Sequence, residues 1–216
     1  MTIYKRGSRG TSVVQIQKAL NLVPDGVYGP LTEEAVRTYQ LENGLKVDGI
    51  VGVATLSRLL AMIPVKSKRR IDEIIVHCTA TREGQPKTVE QLRAEHKRKG
   101  WSDIGYHYVV TLDGGVHTGR NVNLVGAHVA GHNAHSIGVV YVGGLDKYGR
   151  AKDTRTDEQR AAMLSLLLEL RRLYPTARIR GHRDCSPDLD GDGQVEPSEW
   201  VKQCPCFDAM KEYRQV

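Results

Sequence analysis

The residues that could do chemistry are densest in one stretch near the C-terminus, residues 181–208 (GHRDCSPDLDGDGQVEPSEWVKQCPCFD). This stretch holds a histidine, His182, a lysine, Lys202, and a Cys-Pro-Cys sequence with Cys204 and Cys206. Imidazole and thiolate are ligands that zinc prefers, and a catalytic zinc ion takes three protein ligands and leaves a fourth position for water. The stretch therefore supplies part of a candidate zinc site, which needs one more ligand from elsewhere.

Within the same stretch, residues 188–199 fit the calcium-loop pattern D-x-[DN]-x-[DN]-G-x5-E. The oxygen ligands would be the side chains of Asp188, Asp190, Asp192 and Glu199 and the carbonyl of Gln194. Pro187 excludes a normal entering helix, so we expect only an exiting helix, from Pro197 to about Lys202. The alternative is an acidic surface turn that binds no ion; we favour calcium.

A further candidate ligand is His77, which ends a short β-rich run, residues 71–77 (IDEIIVH). A strand holds such a side chain in place while its tip faces a cleft, as a metal ligand requires. On its own, a histidine in this position is more often a core or surface residue with satisfied hydrogen bonds. His77, His182 and one of the two cysteines of the Cys-Pro-Cys sequence would make a His-His-Cys set, but sequence spacing does not show that they converge.

Three other histidines lie in a segment of small residues, 127–135 (AHVAGHNAH). Their spacing of i, i+4 and i+7 could bind a metal only on a helix, which Gly131 and Asn133 discourage. We therefore interpret them as the lining of a cleft, with His128 as the strongest candidate for contact with a substrate. The full set of candidate substrate contacts is His128, Trp101, Thr79 and Asn133.

Strands and helices alternate in the region that carries these residues. The predicted strands are 71–77, 106–112, 136–145 and 177–181. Capping boxes at Thr88 and Thr156 open helices that run to about Lys99 and Tyr174, and the DGG sequence at 113–115 predicts a β-hairpin. These elements predict an α/β fold in which a mixed β-sheet is flanked by helices.

An internal repeat marks the N-terminal region. The sequences DGVYG (25–29) and DGIVG (48–52) are each followed by a threonine and a helical pattern. An Asp-Gly pair indicates a turn, and the second glycine is free to take a positive φ before a helix. With an earlier helix at 12–20, a second capped by Thr32 and a third at 53–60, the pattern predicts a small all-α domain of three helices.

The positive charge of the chain is concentrated in its first third. Residues 1–70 hold 11 Lys and Arg against 5 Asp and Glu, whereas residues 71–216 hold 20 of each. A basic module suggests an anionic partner, such as nucleic acid, membrane or cell wall, or a solvated face that aids solubility. The basic run at 66–70 has no interleaved aromatic residues, which argues against binding to nucleic acid.

Other features of composition exclude some classes of protein. No segment approaches the roughly 18 uninterrupted apolar residues of a membrane span, and the N-terminus (MTIYKRGSRG) has no apolar core of a signal peptide. We therefore expect synthesis in the cytoplasm and another exit route for any action outside. Four cysteines in 216 residues do not make a disulfide framework, so metal binding or catalysis is the better expectation for some of them.

The repeat region resembles a known wall-binding module. The sequence from VVQIQKAL through DGVYGPLTEEAVRTYQLENGLKVDGIVGVATLSRLL is similar to the peptidoglycan-binding domain that is often appended to wall-lytic enzymes, over about residues 7–60. The resemblance implies a peptidoglycan-binding domain at 1–62. The proline and the basic run that follow it predict a solvated linker at 63–70. Asp25 and Tyr28 are candidate wall contacts, although a turn-forming aspartate and a packed tyrosine explain them as well.

The rest of the chain resembles an enzyme family. The motifs IIVHCTAT, DIGYHYVVTLDG, VGAHVAGHNAHSIGVVYVGG, GHRD and KQCPCFD occur in this order over about residues 70–212. They resemble the type 2 family of N-acetylmuramoyl-L-alanine amidases, most closely the phage lysozymes that are zinc amidases. The resemblance implies an amidase domain at 71–216 with zinc ligands His77, His182 and Cys204 and catalytic residues Tyr106 and Lys202. Because the family motif is Cys-Pro-x-Phe, it places the ligand at Cys204 rather than Cys206.

The implied reaction is attack of a zinc-activated hydroxide on the lactyl carbonyl of N-acetylmuramic acid where it joins L-alanine. Lys202 or Tyr106 would support the oxyanion, and their division of roles stays open. We expect a monomeric, phage-type endolysin that acts on bacterial peptidoglycan after release from the cytoplasm. The alternatives are a non-catalytic peptidoglycan-recognition protein on the same fold and a nucleic-acid-binding protein that uses the basic module.

Overall fold

A computed structural model of the chain describes residues 3–20, 22–59 and 64–216. The described residues before 60, called here the N-terminal unit, contain α1 (Thr11–Ala19), α2 (Pro30–Glu42) and α3 (Val53–Leu59). Residues 64–216 form the C-terminal unit. Its elements are β1 (Glu73–Cys78), β2 (Thr81–Arg82), α4 (Val89–Arg98), β3 (Tyr108–Val110), β4 (Val116–Thr118), β5 (Ser136–Tyr141), β6 (Gly144–Leu145), α5 (Asp157–Leu173), β7 (Arg178–Gly181) and α6 (Ala209–Glu212). The predicted domain boundary at 62–63 lies outside the described residues.

A five-stranded sheet forms the centre of the C-terminal unit, with the order β4-β3-β5-β1-β7. Strand β1 is parallel to both β5 and β7, and β3 is parallel to β5. Strand β4 is antiparallel to β3, as the predicted hairpin requires. The prediction of a mixed sheet flanked by helices is therefore confirmed.

The two faces of this sheet carry different helices because side chains alternate along each strand. Ile74, Val76 and their neighbours on β3 and β5 pack against α5 in the main core. On the opposite face, Val109 and Val140 pack with residues of α4. In the described part of the chain, no helix is both long enough and apolar enough to cross a membrane.

The two turn units of the N-terminal unit are each closed by a buried glutamine. The Gln17 side-chain amide donates to the Asp25 carboxylate (2.7 Å) and accepts from the Gly26 N–H (2.9 Å). Gln40 makes the equivalent pair of bonds: its amide donates to Asp48 (3.1 Å) and accepts from the Gly49 N–H (2.9 Å). The internal repeat therefore extends to two glutamines, which our sequence interpretation missed.

The predicted wall contacts in this unit have structural roles instead. The side chain of Tyr28 is 0% exposed and its hydroxyl donates to the Gly49 carbonyl (3.0 Å), so the ring belongs to the core and cannot touch a polymer. The Asp25 carboxylate accepts from the Val27 N–H (2.8 Å) and closes a turn. The second helix also begins earlier than predicted, at Pro30. The buried Thr32 hydroxyl accepts a hydrogen bond from Gln17 and does not cap this helix.

Two predicted elements of the C-terminal unit differ in the structure. The apolar run 136–145 is divided into β5 and β6 because Gly143 and Gly144 take positive φ angles of 142° and 104°. The predicted helix from Pro197 to Lys202 is wrong: residues 197–199 form a turn. The physical reason is that the Glu199 carboxylate folds back to accept from the N–H groups of Leu189 and Glu196.

Two residues of the predicted basic linker, Ser67 and Arg69, are packed against the rest of the C-terminal unit. The Ser67 hydroxyl donates to the Val122 carbonyl (2.7 Å). The Arg69 guanidinium donates to four main-chain carbonyls, at distances from 2.9 to 3.2 Å. A solvated linker is therefore the wrong description of Ser67 and Arg69, whereas Lys66, Lys68 and Arg70 are exposed as predicted.

The two units also pack against each other. Helix α3 contacts α5, and Ala161 of α5 completes the core of the N-terminal unit. The Tyr4 hydroxyl donates to the Glu158 carboxylate, and the Gln15 amide donates to Asp113 (2.8 Å). The N-terminal unit is thus held against α5 and the β3–β4 hairpin.

Candidate functional site

Three predicted metal ligands meet at one edge of the sheet. His77 is on β1, and His182 directly follows β7, which is the parallel neighbour of β1. The carboxyl ends of adjacent parallel strands lie side by side, so the two imidazoles leave the sheet together. The two Nδ1 atoms are 3.1 Å apart, and Cys204 Sγ lies 3.8 Å from His77 Nδ1. A ligand atom from each of the three residues lies within 4.8 Å of the others.

This arrangement fits a zinc ion. Zinc–nitrogen bonds of about 2.0–2.1 Å and a zinc–sulfur bond of about 2.3 Å in a tetrahedron imply ligand separations of roughly 3.3–3.6 Å. Burial, with the positive charge of nearby Lys202, lowers the pKa of His182 to about 4 and the pKa of His77 well below its usual range. Both rings are therefore neutral at physiological pH, which is the form that binds a metal.

Cys204, rather than Cys206, is the cysteine of this cluster. Its sulfur also accepts the N–H of Cys78 (3.2 Å), which fixes it beside the end of β1. The sulfur of Cys206 instead donates to the Gly144 carbonyl (3.2 Å).

His128 lies behind the cluster. Its Nδ1 atom is 3.1 Å from Nε2 of His77, and its Nε2 is 3.3 Å from the Ser136 hydroxyl. The side chain is buried, and both ring nitrogens are engaged within the protein. Outer hydrogen-bond partners of this kind orient a metal-binding histidine and set its tautomer. We therefore replace the predicted substrate contact at His128 with a positioning role.

The space around the His128 ring depends on glycines that border it. A Cβ atom on Gly126 would lie 2.5 Å from Cδ2 of His128, and one on Gly138 would lie 2.6 Å from the same atom. Asn133 fixes the preceding turn, since its side-chain oxygen accepts from the N–H groups of His128 (2.8 Å) and Val129 (2.9 Å). Asn133 is thus a structural residue of the site rather than the predicted substrate contact.

The two predicted catalytic residues differ in their surroundings. The ring of Tyr106 lies 5.1 Å from the ring of His77, and burial raises the pKa of its hydroxyl. Tyr106 therefore stays protonated at neutral pH and can donate a hydrogen bond. Lys202 is exposed, and its charge acts on both histidines of the cluster.

The other two predicted substrate contacts lie near the site. Trp101 is 39% exposed, and its ring lies 4.5 Å from the ring of His96, which in turn lies 5.5 Å from Tyr106. The Thr79 hydroxyl is occupied by contacts to Thr81 (2.7 Å) and to the Gly143 N–H (3.0 Å). Trp101 therefore keeps a free surface for a ligand, whereas Thr79 shapes the end of β1.

The C-terminal unit has an open groove of about 710 Å³. It is lined by residues 80–82 and 85–87 together with Leu145 and Gly149. Pro86 and Lys87 also line a second groove of about 980 Å³, which Gln15 of α1 helps to form. The two grooves therefore share part of their wall.

The acidic loop lies between the two C-terminal ligands. The Asp188 carboxylate accepts from the N–H groups of Gly191 (2.7 Å) and Gly193 (2.8 Å), which bends the loop. Oxygen atoms of Asp188, Asp190 and Glu199 lie within 4.8 Å of one another. Asp192 joins a second group with Asp190 and Glu196, and Gln194 is exposed.

Comparison with known proteins agrees with this geometry. Residues 67–205 match the family model for N-acetylmuramoyl-L-alanine amidase, and residues 9–59 match a model for a peptidoglycan-binding domain. The endolysin of Enterobacteria phage K11 is 36% identical over 152 residues, which are 70% of this chain and 91% of the relative. The endolysin of Escherichia phage T7 is 37% identical with the same coverage.

Among solved structures, the endolysin LysCS of Clostridium intestinale, an N-acetylmuramoyl-L-alanine amidase, has the same fold. It aligns with a TM-score of 0.52 at 24% identity, over 72% of this chain and 89% of its own.

Proposed function

The chain belongs to the N-acetylmuramoyl-L-alanine amidase family, and from this we propose that it cleaves the bond between N-acetylmuramic acid and L-alanine in bacterial peptidoglycan with the help of zinc. The family match and the endolysin relatives support a peptidoglycan amidase. The observation that carries the zinc proposal is the convergence of His77, His182 and Cys204 at ligand spacing. A non-catalytic recognition protein would not need such a cluster beside a protonated tyrosine.

These three side chains would hold the metal. A zinc ion bound there would lower the pKa of a water molecule to about 7 and so provide a nucleophile at neutral pH. The protonated Tyr106 hydroxyl would donate to the oxygen of the scissile carbonyl as negative charge develops. The exposed ammonium of Lys202 would add positive charge at the rim, and Trp101 would give the glycan or the peptide stem an apolar surface.

We propose that the N-terminal unit binds the wall. The match to a peptidoglycan-binding domain and the excess of positive charge before residue 71 support this role. Since Tyr28 is buried, the wall must be bound elsewhere on the unit. The enzyme would act as a monomer on the cell wall after leaving the cytoplasm, and we propose no nucleic-acid partner.

We also propose that the acidic loop binds calcium. Its sequence follows the calcium-loop pattern throughout, and Asp188, Asp190 and Glu199 already lie together. Calcium would stiffen the segment that leads to Lys202 and Cys204. In zinc-replete buffer, EGTA should then lower the thermal midpoint of the wild type but not that of Glu199→Gln. An unchanged thermal midpoint of the wild type would refute the calcium proposal.

Mass spectrometry of digested peptidoglycan tests the main proposal. Free peptide stems that begin with L-alanine are expected from the wild type and should be absent with Cys204→Ala, while Cys185→Ala serves as the matched cysteine control. New reducing sugars would instead indicate a glycosidase. Equal wall lysis by the wild type and Cys204→Ala would contradict the zinc mechanism.

A further inference from the structure

Two thiols lie beside the proposed zinc ligands without belonging to them. Cys78 is the last residue of β1 and is 7% exposed, and Cys206 is partly exposed on the loop that follows Cys204. Their sulfur atoms are 3.7 Å apart. Both cysteines are free, so each keeps the thiol that a covalent bond between them would use.

The positions of these thiols couple them to the cluster. Cys78 directly follows the ligand His77, and Cys206 lies two residues after the ligand Cys204. A bond between the two sulfurs would therefore tie together the two chain segments that supply these ligands, which are far apart in sequence.

The local packing admits such a bond. A disulfide needs a sulfur–sulfur distance of about 2.05 Å, so the two sulfurs would have to approach by roughly 1.7 Å. Gly144 borders the pair, and a Cβ atom there would lie 2.5 Å from the sulfur of Cys78. Because Gly144 has no side chain, it provides the space that the two thiols occupy. The fourth cysteine, Cys185, is engaged elsewhere, where its thiol donates to the Gly181 carbonyl (3.7 Å).

We propose that Cys78 and Cys206 form a disulfide when the protein meets an oxidising environment, and that this bond clamps His77 and Cys204 at zinc-ligand spacing. Thiols persist in a reducing cytoplasm and disulfides persist outside it. Formation of the bond is independent of the proposed function, whereas the clamp rests on the proposed zinc site.

The oxidant would be a low-molecular-weight disulfide. Cys206, the more accessible thiol, loses its proton and attacks one sulfur of the oxidant, which releases one thiol and leaves a mixed disulfide. The sulfur of Cys78, after losing its proton, then attacks the Cys206 sulfur and releases the second thiol. Overall the two cysteines lose two electrons and two protons, and the oxidant is reduced to two thiols.

The clamp has a measurable consequence for the metal. Zinc leaves a site when its ligands separate, and here separation requires the loop around Cys204 to move away from β1. A covalent link between these segments restricts that movement, because it closes the chain on itself between residues 78 and 206. The oxidised protein should therefore lose zinc more slowly than the reduced protein.

The test uses the full-length, zinc-loaded protein equilibrated at pH 8.5 with oxidised or reduced glutathione. Intact mass after alkylation under denaturing conditions should show loss of about 2 Da and protection of two thiols in the oxidised sample. Fragment spectra should place the link at Cys78 and Cys206. Cys185→Ser should behave like the wild type, while Cys206→Ser should show no loss of mass.

Zinc release is then followed with a chromophoric chelator. Oxidation should slow release about tenfold or more in the wild type and in Cys185→Ser, but not in Cys206→Ser. No internal link at equilibrium, or a Cys78–Cys204 link in its place, would overturn the proposal. A correct link with unchanged zinc release would overturn the clamp. A purified protein that binds no zinc would refute the zinc site, and the mass measurement would still decide whether the disulfide forms.

Discussion

The Nε2 atom of His77 lies 3.1 Å from the Nδ1 atom of His128. Nδ1 of His77 faces the other two ligands, so it must be free of a proton when it binds a metal. The proton then lies on Nε2 and is donated to His128, whose own Nε2 proton is donated to the Ser136 hydroxyl at 3.3 Å. This chain of three side chains is therefore compatible with the His77 tautomer that can ligate through Nδ1.

Replacing His128 with alanine should weaken the binding of zinc while the three ligands remain in place. Loss of an outer hydrogen-bond partner typically reduces metal affinity or activity by about 10–100-fold. Competition with a chelator of known affinity measures the change, and the exposed His135→Ala is the matched control. Equal zinc affinity in His128→Ala and the wild type would show that His128 does not position His77.

The buried histidines should also make the stability of the metal-free protein depend on pH. Burial lowers the pKa of His107 to about 4 and that of His128 to about 3, whereas an unfolded histidine titrates near 6.5. Below pH 6.5 the unfolded chain therefore binds protons that the folded chain does not, and the free energy of unfolding falls as the pH falls. Each such histidine contributes a slope of up to about 1.4 kcal/mol per pH unit.

Urea denaturation of EDTA-treated protein between pH 7 and pH 5 measures this slope. The window ends at pH 5 so that the titration of carboxyl groups adds little. Above pH 7 these histidines are neutral in both states and contribute no slope. A free energy of unfolding that is constant from pH 7 to pH 5 would contradict the assignment of buried, neutral rings.

The sequence indicated which side chains could bind zinc, but not which of them meet. His77 and His182 converge because β1 and β7 are parallel neighbours, and strand order is not visible in the spacing of two histidines. The choice of Cys204 over Cys206 came from a family resemblance, since the two residues have the same chemistry. His128 was predicted to line a substrate cleft because it lies in a loop of small residues. The structure instead buries its ring beside His77, while Ala130, Gly131, Ala134 and His135 of the same loop are exposed.

The fold was more predictable than the site, with informative exceptions. The capping boxes at Thr88 and Thr156 are formed as predicted, since such signals act within a few residues of the chain. The helix predicted after Pro197 is absent because the Glu199 side chain bonds to main-chain groups ten residues away. Long-range bonds of this kind leave no periodic pattern in the sequence.

The buried glutamines of the N-terminal unit should be important for its stability. Gln40→Ala would leave the N–H of Gly49 and the oxygens of Asp48 and Thr55 without their partner. A buried polar group without a hydrogen bond costs about 1–3 kcal/mol, so we expect a loss of roughly 2–4 kcal/mol. Chemical denaturation measures it, and the exposed Gln85→Ala should change stability by less than about 0.5 kcal/mol.

Gln17→Ala should have an effect similar to that of Gln40→Ala, because the two residues occupy equivalent places in the repeat. A loss of less than 1 kcal/mol in both variants would show that water replaces the glutamine amides without cost.

The Tyr106→Phe variant should distinguish the role of the Tyr106 hydroxyl from the role of its ring. The phenyl group keeps the contacts with the rings of His77 (5.1 Å) and His96 (5.5 Å), so zinc content and the thermal midpoint should not change. If the hydroxyl donates to charge that develops in the transition state, its removal should lower kcat about 100–1000-fold with little change in KM. Because burial raises the pKa of Tyr106 above its usual value, this donor should remain protonated in wild-type enzyme at alkaline pH.

Steady-state hydrolysis of a soluble muramoyl peptide measures both constants. The matched control is Tyr148→Phe, which removes a tyrosine hydroxyl from an exposed ring. A decrease in kcat of less than about threefold would remove Tyr106 from the reaction and leave Lys202 as the remaining predicted donor of positive charge or a proton. A loss of zinc from Tyr106→Phe would instead give the hydroxyl a role in holding the ligand cluster together.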